Sequence, residues 1–217
     1  VRLIIFDFDG TLVDSRNLIW ESHRIVFEEF GLPRPSREQS LSLIGMSLEL
    51  VLEQLAGADA PIAQMTMAYQ RVLPILREDA AFADAPFDGV AELLAALAAR
   101  RDTTLAIATG HVSQAIEPVL DKLGWRQFFR SIQTADRAPS KPHPAMLLQA
   151  LRETNAAKEN AVMVGDTAFD MEMARAAGVE GIGVSWGYHR ADRLRDAGAG
   201  RVATDMAELH SFLADRG

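Results

Sequence analysis

Five short apolar runs, separated by helix-length stretches, restrict the fold more than any other feature of this chain. They are RLIIF at 2–6, TTLAIA at 103–108, AVMV at 161–164, GIGV at 181–184 and RVA at 201–203, with a weaker candidate around Ser131 and Ile132. Runs this short and this rich in β-branched residues suit strands buried on both faces of a parallel sheet. Between them the patterning predicts helices at 88–100, 112–123, 143–155, 168–177, 190–197 and 205–214. The simplest solution is an α/β fold: a Rossmann-like open parallel sheet covered by helices on both faces.

The stretch from Asp14 to about Phe82 breaks this rhythm. It contains no convincing strand, and its helical patterns at 16–30, 38–56 and 61–78 are punctuated by Gly31-Leu32-Pro33 and Gly57-Ala58. So long a segment is implausible as a simple loop within a βα unit. It reads as an inserted α-helical cap domain at 15–81, with the core formed by 1–14 and 82–217 and linkers near 11–16 and 80–88. Ligands of open α/β sheets bind beyond the carboxyl ends of the strands, where such an insertion would sit as a lid.

Composition removes several classes of function. Among 217 residues there is no Cys, which excludes disulfide frameworks, cysteine nucleophiles and thiolate metal sites. A formal net charge of -8 offers no electrostatic case for binding nucleic acid or an anionic membrane. The apolar runs fall well short of the ~20 residues that span a bilayer. No basic leader precedes RLIIF, so a soluble, cytoplasmic protein is expected, and either a monomer or a homodimer is compatible with the sequence.

Acidic residues mark two of the strand ends. Asp7 and Asp9 follow the first run two residues apart, and Gly10 lets the backbone turn sharply or approach a ligand. Two carboxylates this close repel unless a cation compensates, a pairing suited to Mg²⁺ with one nucleophilic Asp and one that exchanges a proton. An acidic turn capping a helix has the same appearance. Asp166 and Asp170 flank the start of the 168–177 helix one turn apart and suit a shared cation, although Thr167 as a cap and Asp166 at the helix dipole is an equal reading. Together the two acidic strand ends point to a hard-metal site.

Thr109 and Gly110 end the TTLAIA run, where a hydroxyl and a backbone N–H can hold a phosphoryl oxygen; a plain strand-to-helix turn looks alike. His111 is expected to be a solvated turn histidine. Lys141, in PSKPHP, is one of three lysines with Lys122 and Lys158, and its ammonium could offset a transferring phosphoryl group; alone it would be an ordinary surface lysine. His143 lacks a partner at a metal-ligand spacing.

Taken in order, DFDGT at 7–11, Thr109-Gly110, Lys141-Pro142 and GDTAFD at 165–170 resemble the four motifs of haloacid-dehalogenase-like (HAD) superfamily phosphatases, with the helical insertion where that family carries its α-helical cap. The pattern is most similar to phosphoglycolate-phosphatase-like proteins, including PFDGV at 86–90 after the cap. The resemblance implies an Mg²⁺-dependent phosphomonoester hydrolase acting through an aspartyl-phosphate on a small phosphorylated metabolite such as 2-phosphoglycolate. It implies Asp7 as nucleophile, Asp9 as acid and base, and Thr109, Gly110 and Lys141 as phosphate-binding and catalytic groups. It also implies metal binding by Asp7, the Asp9 backbone carbonyl and Asp166, with Asp170 as an additional or outer carboxylate orienting Lys141.

Departures within the family narrow the reaction. Asp9 disfavours dehalogenation, and no Lys between 14 and 86 could form the Schiff base of phosphonate-cleaving relatives. Ile19 stands where related sugar-phosphate mutases often carry His, and His111 stands where close relatives often carry a basic residue. Arg16, His23 and Arg71 are cap candidates for a substrate carboxylate or distal phosphate, each also compatible with a solvated helical face, and Gly45 is a candidate specificity-loop hinge or helix break. The alternatives are a nucleotide or pyrophosphate phosphatase, a phosphomutase, or a non-enzymatic phosphoaspartate signalling module like a receiver domain. The glycine-rich dinucleotide fingerprint is absent after the first strand, which disfavours a Rossmann dehydrogenase.

Overall fold

A computed structural model describes residues 2–214. Its main sheet has six strands, all parallel, in the order β5-β4-β1-β6-β7-β8. These are β1 (Arg2–Phe6), β4 (Thr103–Ala108), β5 (Phe129–Gln133), β6 (Ala161–Gly165), β7 (Glu180–Val184) and β8 (Arg201–Ala203). The weak candidate at Ser131 and Ile132 is therefore an edge strand.

Burial on both faces explains why β1 is apolar throughout. Ile4 and Phe6 enter a core with Leu93, Leu94 and Leu97 of α5 (Val90–Ala98) and with Leu209 and Leu213 of α10 (Met206–Ala214). Leu3 and Ile5 point the other way, into a core with Met146 and Leu147 of α7 (Ala145–Thr154) and Met173 of α8 (Ala168–Ala177). Alternate side chains of one strand thus build two separate layers. The remaining core helices are α6 (Ser113–Lys122) and α9 (Ala191–Asp196).

Four helices lie between β2 (Val13–Asp14) and β3 (Ala85–Pro86): α1 (Arg16–Glu29), α2 (Arg37–Leu41), α3 (Leu48–Ala56) and α4 (Ile62–Arg77). Leu18, Val26 and Phe27 of α1, Leu52 of α3 and Met65, Tyr69 and Leu73 of α4 form a core of their own. The short antiparallel pairing of β2 with β3 ties the entry and exit of this helical cap together. Two-residue strands carry too little pattern to be read in sequence. The single helix expected at 38–56 is also corrected: Gly45 takes φ 105 in the turn between α2 and α3, a left-handed conformation that interrupts the helix. Among the described residues no helix is long and apolar enough to cross a membrane.

His23 of α1 is buried in the cap, its ring centroid 5.5 Å from that of Tyr69, and its Nδ1 has no hydrogen-bond partner among the described residues. Burial pulls its pKa down to about 4. An unfolded histidine titrates near ~6.5, so between these values the unfolded chain binds the additional proton. The stabilisation is complete above the unfolded pKa and is lost as pH falls toward the folded one. Between about pH 7.5 and pH 5, urea unfolding should show wild type losing about 2 kcal/mol more than His23→Leu. Equal losses in the two proteins would show that His23 does not carry this acid sensitivity.

Candidate active site

The carboxyl ends of three neighbouring strands, β4, β1 and β6, assemble the site. Asp7 continues β1, its N–H donating to Val164 O of β6 (2.9 Å). Asp166 follows β6, while Thr109 follows β4 and donates its N–H to Gln133 O of β5 (3.0 Å). Lys141 arrives from the loop preceding α7. Instead of lying at the surface, its side chain is 0 % exposed, with Nζ 2.7 Å from both Asp7 Oδ1 and Asp170 Oδ1.

Asp7, Asp166 and Asp170 offer carboxylate oxygens all within 4.8 Å of one another. Three carboxylates and one ammonium leave two formal negative charges in a buried space, an arrangement that needs protons or a cation. Burial, reinforced by the charge of Asp170, pushes the Asp7 carboxyl well above its usual range and Asp166 up to about 7. Lys141 stays charged: burial alone would favour its neutral form, but Asp170 and Asp7 outweigh it. Asp7 Oδ2 is buried and has no hydrogen-bond partner among the described residues. An orphaned carboxylate oxygen beside two further carboxylates fits a hard divalent cation with oxygen ligands, as Mg²⁺ prefers.

The surroundings hold the other oxygens in place. Thr11 Oγ1 donates to Asp166 Oδ1 (2.9 Å), and the Tyr188 N–H donates to Asp166 Oδ2 (2.8 Å). A Cβ at Gly10, which has φ 78, or at Gly187 would overlap Asp166, so both glycines permit the backbone to close around that carboxylate. Asp170 combines two tasks. It completes the capping box of α8 through the Thr167 N–H and hydroxyl, and its other oxygen accepts from Lys141. The capping and cluster readings of GDTAFD are thus compatible in one residue.

Asp9 faces elsewhere. Its Oδ1 accepts from Ser15 Oγ (2.5 Å), and His111 Nε2 lies 2.8 Å from its Oδ2. Burial raises the Asp9 pKa, but His111 and Ser15 outweigh it and hold the carboxyl below its ordinary value. The expectation of a solvated turn histidine is therefore corrected: the bend after β4 places His111 over Asp9, with its side chain 11 % exposed. Ser15 precedes α1 at its N-cap position yet makes no side-chain cap bond, because its hydroxyl serves Asp9 and contacts Tyr188 Oη (2.9 Å).

The cap loop is packed onto this edge. Met46 O and Gly45 O lie so close to Gly110 that a Cβ there would overlap them, and a Cβ at Gly45 would press on Thr167 Oγ1. Ser47 N–H donates to Ser140 Oγ (2.7 Å). His189 Nδ1 accepts from the Ala168 N–H (2.9 Å), leaving Nε2–H to donate to Ser42 O of the cap (3.0 Å). Gly45 therefore lies between the cap and the strand ends.

The three cap candidates are placed differently from one another, and two of them, His23 and Arg71, line the cavity between the cap and α6. Arg16 Nε pairs with Asp14 Oδ1 (2.7 Å), Arg71 Nη2 pairs with Glu29 Oε2 (2.5 Å) on an exposed surface, and His23 is buried as a neutral ring. Sequence reasoning passed over Arg77, whose Nε lies 2.7 Å from Asp84 Oδ2 at the exit from the cap. It also missed Thr11, Ser15, Tyr188 and His189. The last two lie in SWGYHR at 185–190, directly after β7, and a loop at the carboxyl end of a parallel strand was the available signal.

Comparison with known proteins agrees with this architecture. A family model described as Haloacid dehalogenase-like hydrolase matches residues 4–184. The chain is 35% identical over 211 residues to the protein named "Probable phosphatase IndB" of Dickeya dadantii, covering 95% of this chain and 91% of that one. It is 30% identical over 190 residues to a phosphoglycolate phosphatase of Agrobacterium fabrum, covering 86% and 81%. Among solved structures, a hydrolase of the haloacid dehalogenase-like family from Streptococcus pneumoniae superposes with a TM-score of 0.84 at 26% identity, covering 98% of each chain. The chain belongs to the haloacid dehalogenase-like hydrolase family.

Proposed function

We propose that this protein is an Mg²⁺-dependent phosphomonoester hydrolase that works through an aspartyl-phosphate on a small phosphorylated metabolite. The observation that carries this reading is the convergence of Asp7, Asp166, Asp170 and Lys141, with Asp7 Oδ2 left unpartnered at the centre. Residues 15–81 would act as the cap over a core built from the segments on either side. The Agrobacterium fabrum relative's name makes 2-phosphoglycolate a reference substrate for testing.

The residues divide the work. Asp7, Asp166 and the Asp9 backbone carbonyl would hold Mg²⁺, with Asp170 at the edge of the set. The bound ion would offset charge on the carboxylates and the phosphoryl oxygens. Asp9, whose ionised form His111 and Ser15 favour in the free protein, takes up a proton as the phosphoester enters. Asp7 then attacks phosphorus as the bond from phosphorus to the leaving oxygen breaks, and Asp9 delivers that proton to the departing oxygen. Water then attacks the same phosphorus, Asp9 takes its proton, and the phosphorus–Asp7 bond breaks to give phosphate and free Asp7. Thr109 and the Gly110 N–H would cradle the phosphoryl oxygens, and Lys141 stabilises their charge while Asp170 holds its ammonium in place. His111 and Ser15 fix the Asp9 carboxylate for both proton transfers.

Steady phosphate release from a phosphomonoester panel should require Mg²⁺, cease with EDTA and fall by at least about 10³-fold in Asp7→Asn. A single stoichiometric phosphorylation without turnover would instead favour a signalling module. Asp9→Asn should keep its fold and Mg²⁺ binding, shown by circular dichroism and calorimetry, while turnover of an unactivated ester drops by about 10²–10⁴-fold. A near-wild-type rate would remove Asp9 from the proton transfers. At a hundred times its Kd, Mg²⁺ should stabilise the wild-type protein by about 2.7 kcal/mol. Thermal unfolding of Asp166→Asn should show a smaller metal-induced shift, and an undiminished shift would place the ion elsewhere.

A further inference from the structure

A cavity of about 620 Å³ opens beside Asp9 and runs between the cap helices and α6. That volume lies within the roughly 300–1,000 Å³ of sites that enclose drug-sized ligands. On the phosphatase reading above, on which this inference rests, Asp9 protonates the departing oxygen, so the alcohol half of the substrate extends into this cavity. Its walls are mainly apolar. Ile19, Met46, Val51 and Leu73 line the cap side, and Ala115 and Val119 line the α6 side.

The formal charges lining the cavity are equal in number. Arg71, Arg77 and Lys122 are its lining cations, against Asp9, Glu78 and Asp84 as lining acids. Arg77 is held by Asp84, both side chains largely buried, and its Nη1–H donates to Ala115 O (2.9 Å). Arg71 pairs with Glu29 on the exposed side of α4, and Lys122 is exposed at the end of α6. His23 and Tyr69 contribute ring surface to the lining. A carboxylate entering here would lose its hydration, and the buried cation it would meet, Arg77, is already paired with Asp84, although Arg77 Nη2 has no hydrogen-bond partner among the described residues. An uncharged apolar group would instead replace water on apolar walls.

We propose that the substrate is a phosphomonoester of an uncharged alcohol bearing an apolar, ring-sized group, and that carboxylated phosphoesters such as 2-phosphoglycolate are poorly used. Ring-sized apolar surface buried in such a cavity is worth at least about a factor of ten in transition-state binding.

The test measures Mg²⁺-dependent phosphate release by wild type and Asp7→Asn from acetyl phosphate, ethyl phosphate, benzyl phosphate and 2-phosphoglycolate. Acetyl phosphate reports the strand-end chemistry with a leaving group too small to use the cavity. Benzyl phosphate is expected to exceed both ethyl phosphate and 2-phosphoglycolate in kcat/KM by about tenfold or more. If acetyl phosphate turnover depends on Asp7 but ethyl phosphate or 2-phosphoglycolate is used as efficiently as benzyl phosphate, the substrate inference is overturned and the phosphatase reading survives. If no release from acetyl phosphate or the esters depends on Asp7, the phosphatase reading and the inference fall together.

Discussion

The buried ammonium of Lys141, shared between Asp7 and Asp170, is the interaction on which the rest of the site depends. A charged amine without exposed surface is tolerable only with close anionic partners, and those partners sit directly after β1 and in the first turn of α8, which follows β6. The sheet must therefore bring β1 and β6 side by side, as its order does, and the loop before α7 must reach inward. Lys141 compensates one of three carboxylates. The remaining charge keeps Asp7 Oδ2 available to a cation, and the tight packing of Gly10 and Gly187 against Asp166 keeps that carboxylate from turning away.

Asp9 is separated from this cluster although only Phe8 intervenes between it and Asp7. Ser15 and His111 draw its carboxylate toward the cavity, while Asp7 faces Lys141. Two acids of one short motif thereby acquire different surroundings: one beside Lys141 and two further carboxylates, the other beside His111, Ser15 and the cavity. Ser15 shows a local cost of this arrangement, since a residue placed to cap α1 gives its hydroxyl to Asp9 instead. The cap loop reaches the same edge through Ser42, Met46 and Ser47, so cap and chemistry share one boundary.

Much of the core could be read from local pattern. The bounds of β1, β4, β8 and α8 coincide with those expected, because burial on both faces and helical periodicity are short-range properties. The acidic strand ends were legible because carboxylates stood directly after apolar runs, where a parallel sheet exposes its functional edge, whereas Lys141 stood out through the ordered set of motifs that the chain resembles. Local pattern failed where structure depends on distant contact. The β2–β3 pairing joins residues separated by the whole cap.

Cap charges show the same limit more sharply. Arg16, His23 and Arg71 were candidates by residue type, and the partners of each follow only from the packing of the cap. Glu29 lies on another helix from Arg71, and His23 is neutral because the cap core closes over it. Sequence alone determined the succession of strands and helices, the place of the helical insertion and the acidic residues after the first and third of the main apolar runs, since these follow from local periodicity and residue chemistry. Tertiary structure alone decided that His111 and Ser15 serve Asp9, that SWGYHR closes on Asp166 and that Asp84 claims Arg77. Each of those is a pairing between side chains whose separation is set by the lateral order of strands and the packing of helices, neither of which is encoded in a short stretch of chain.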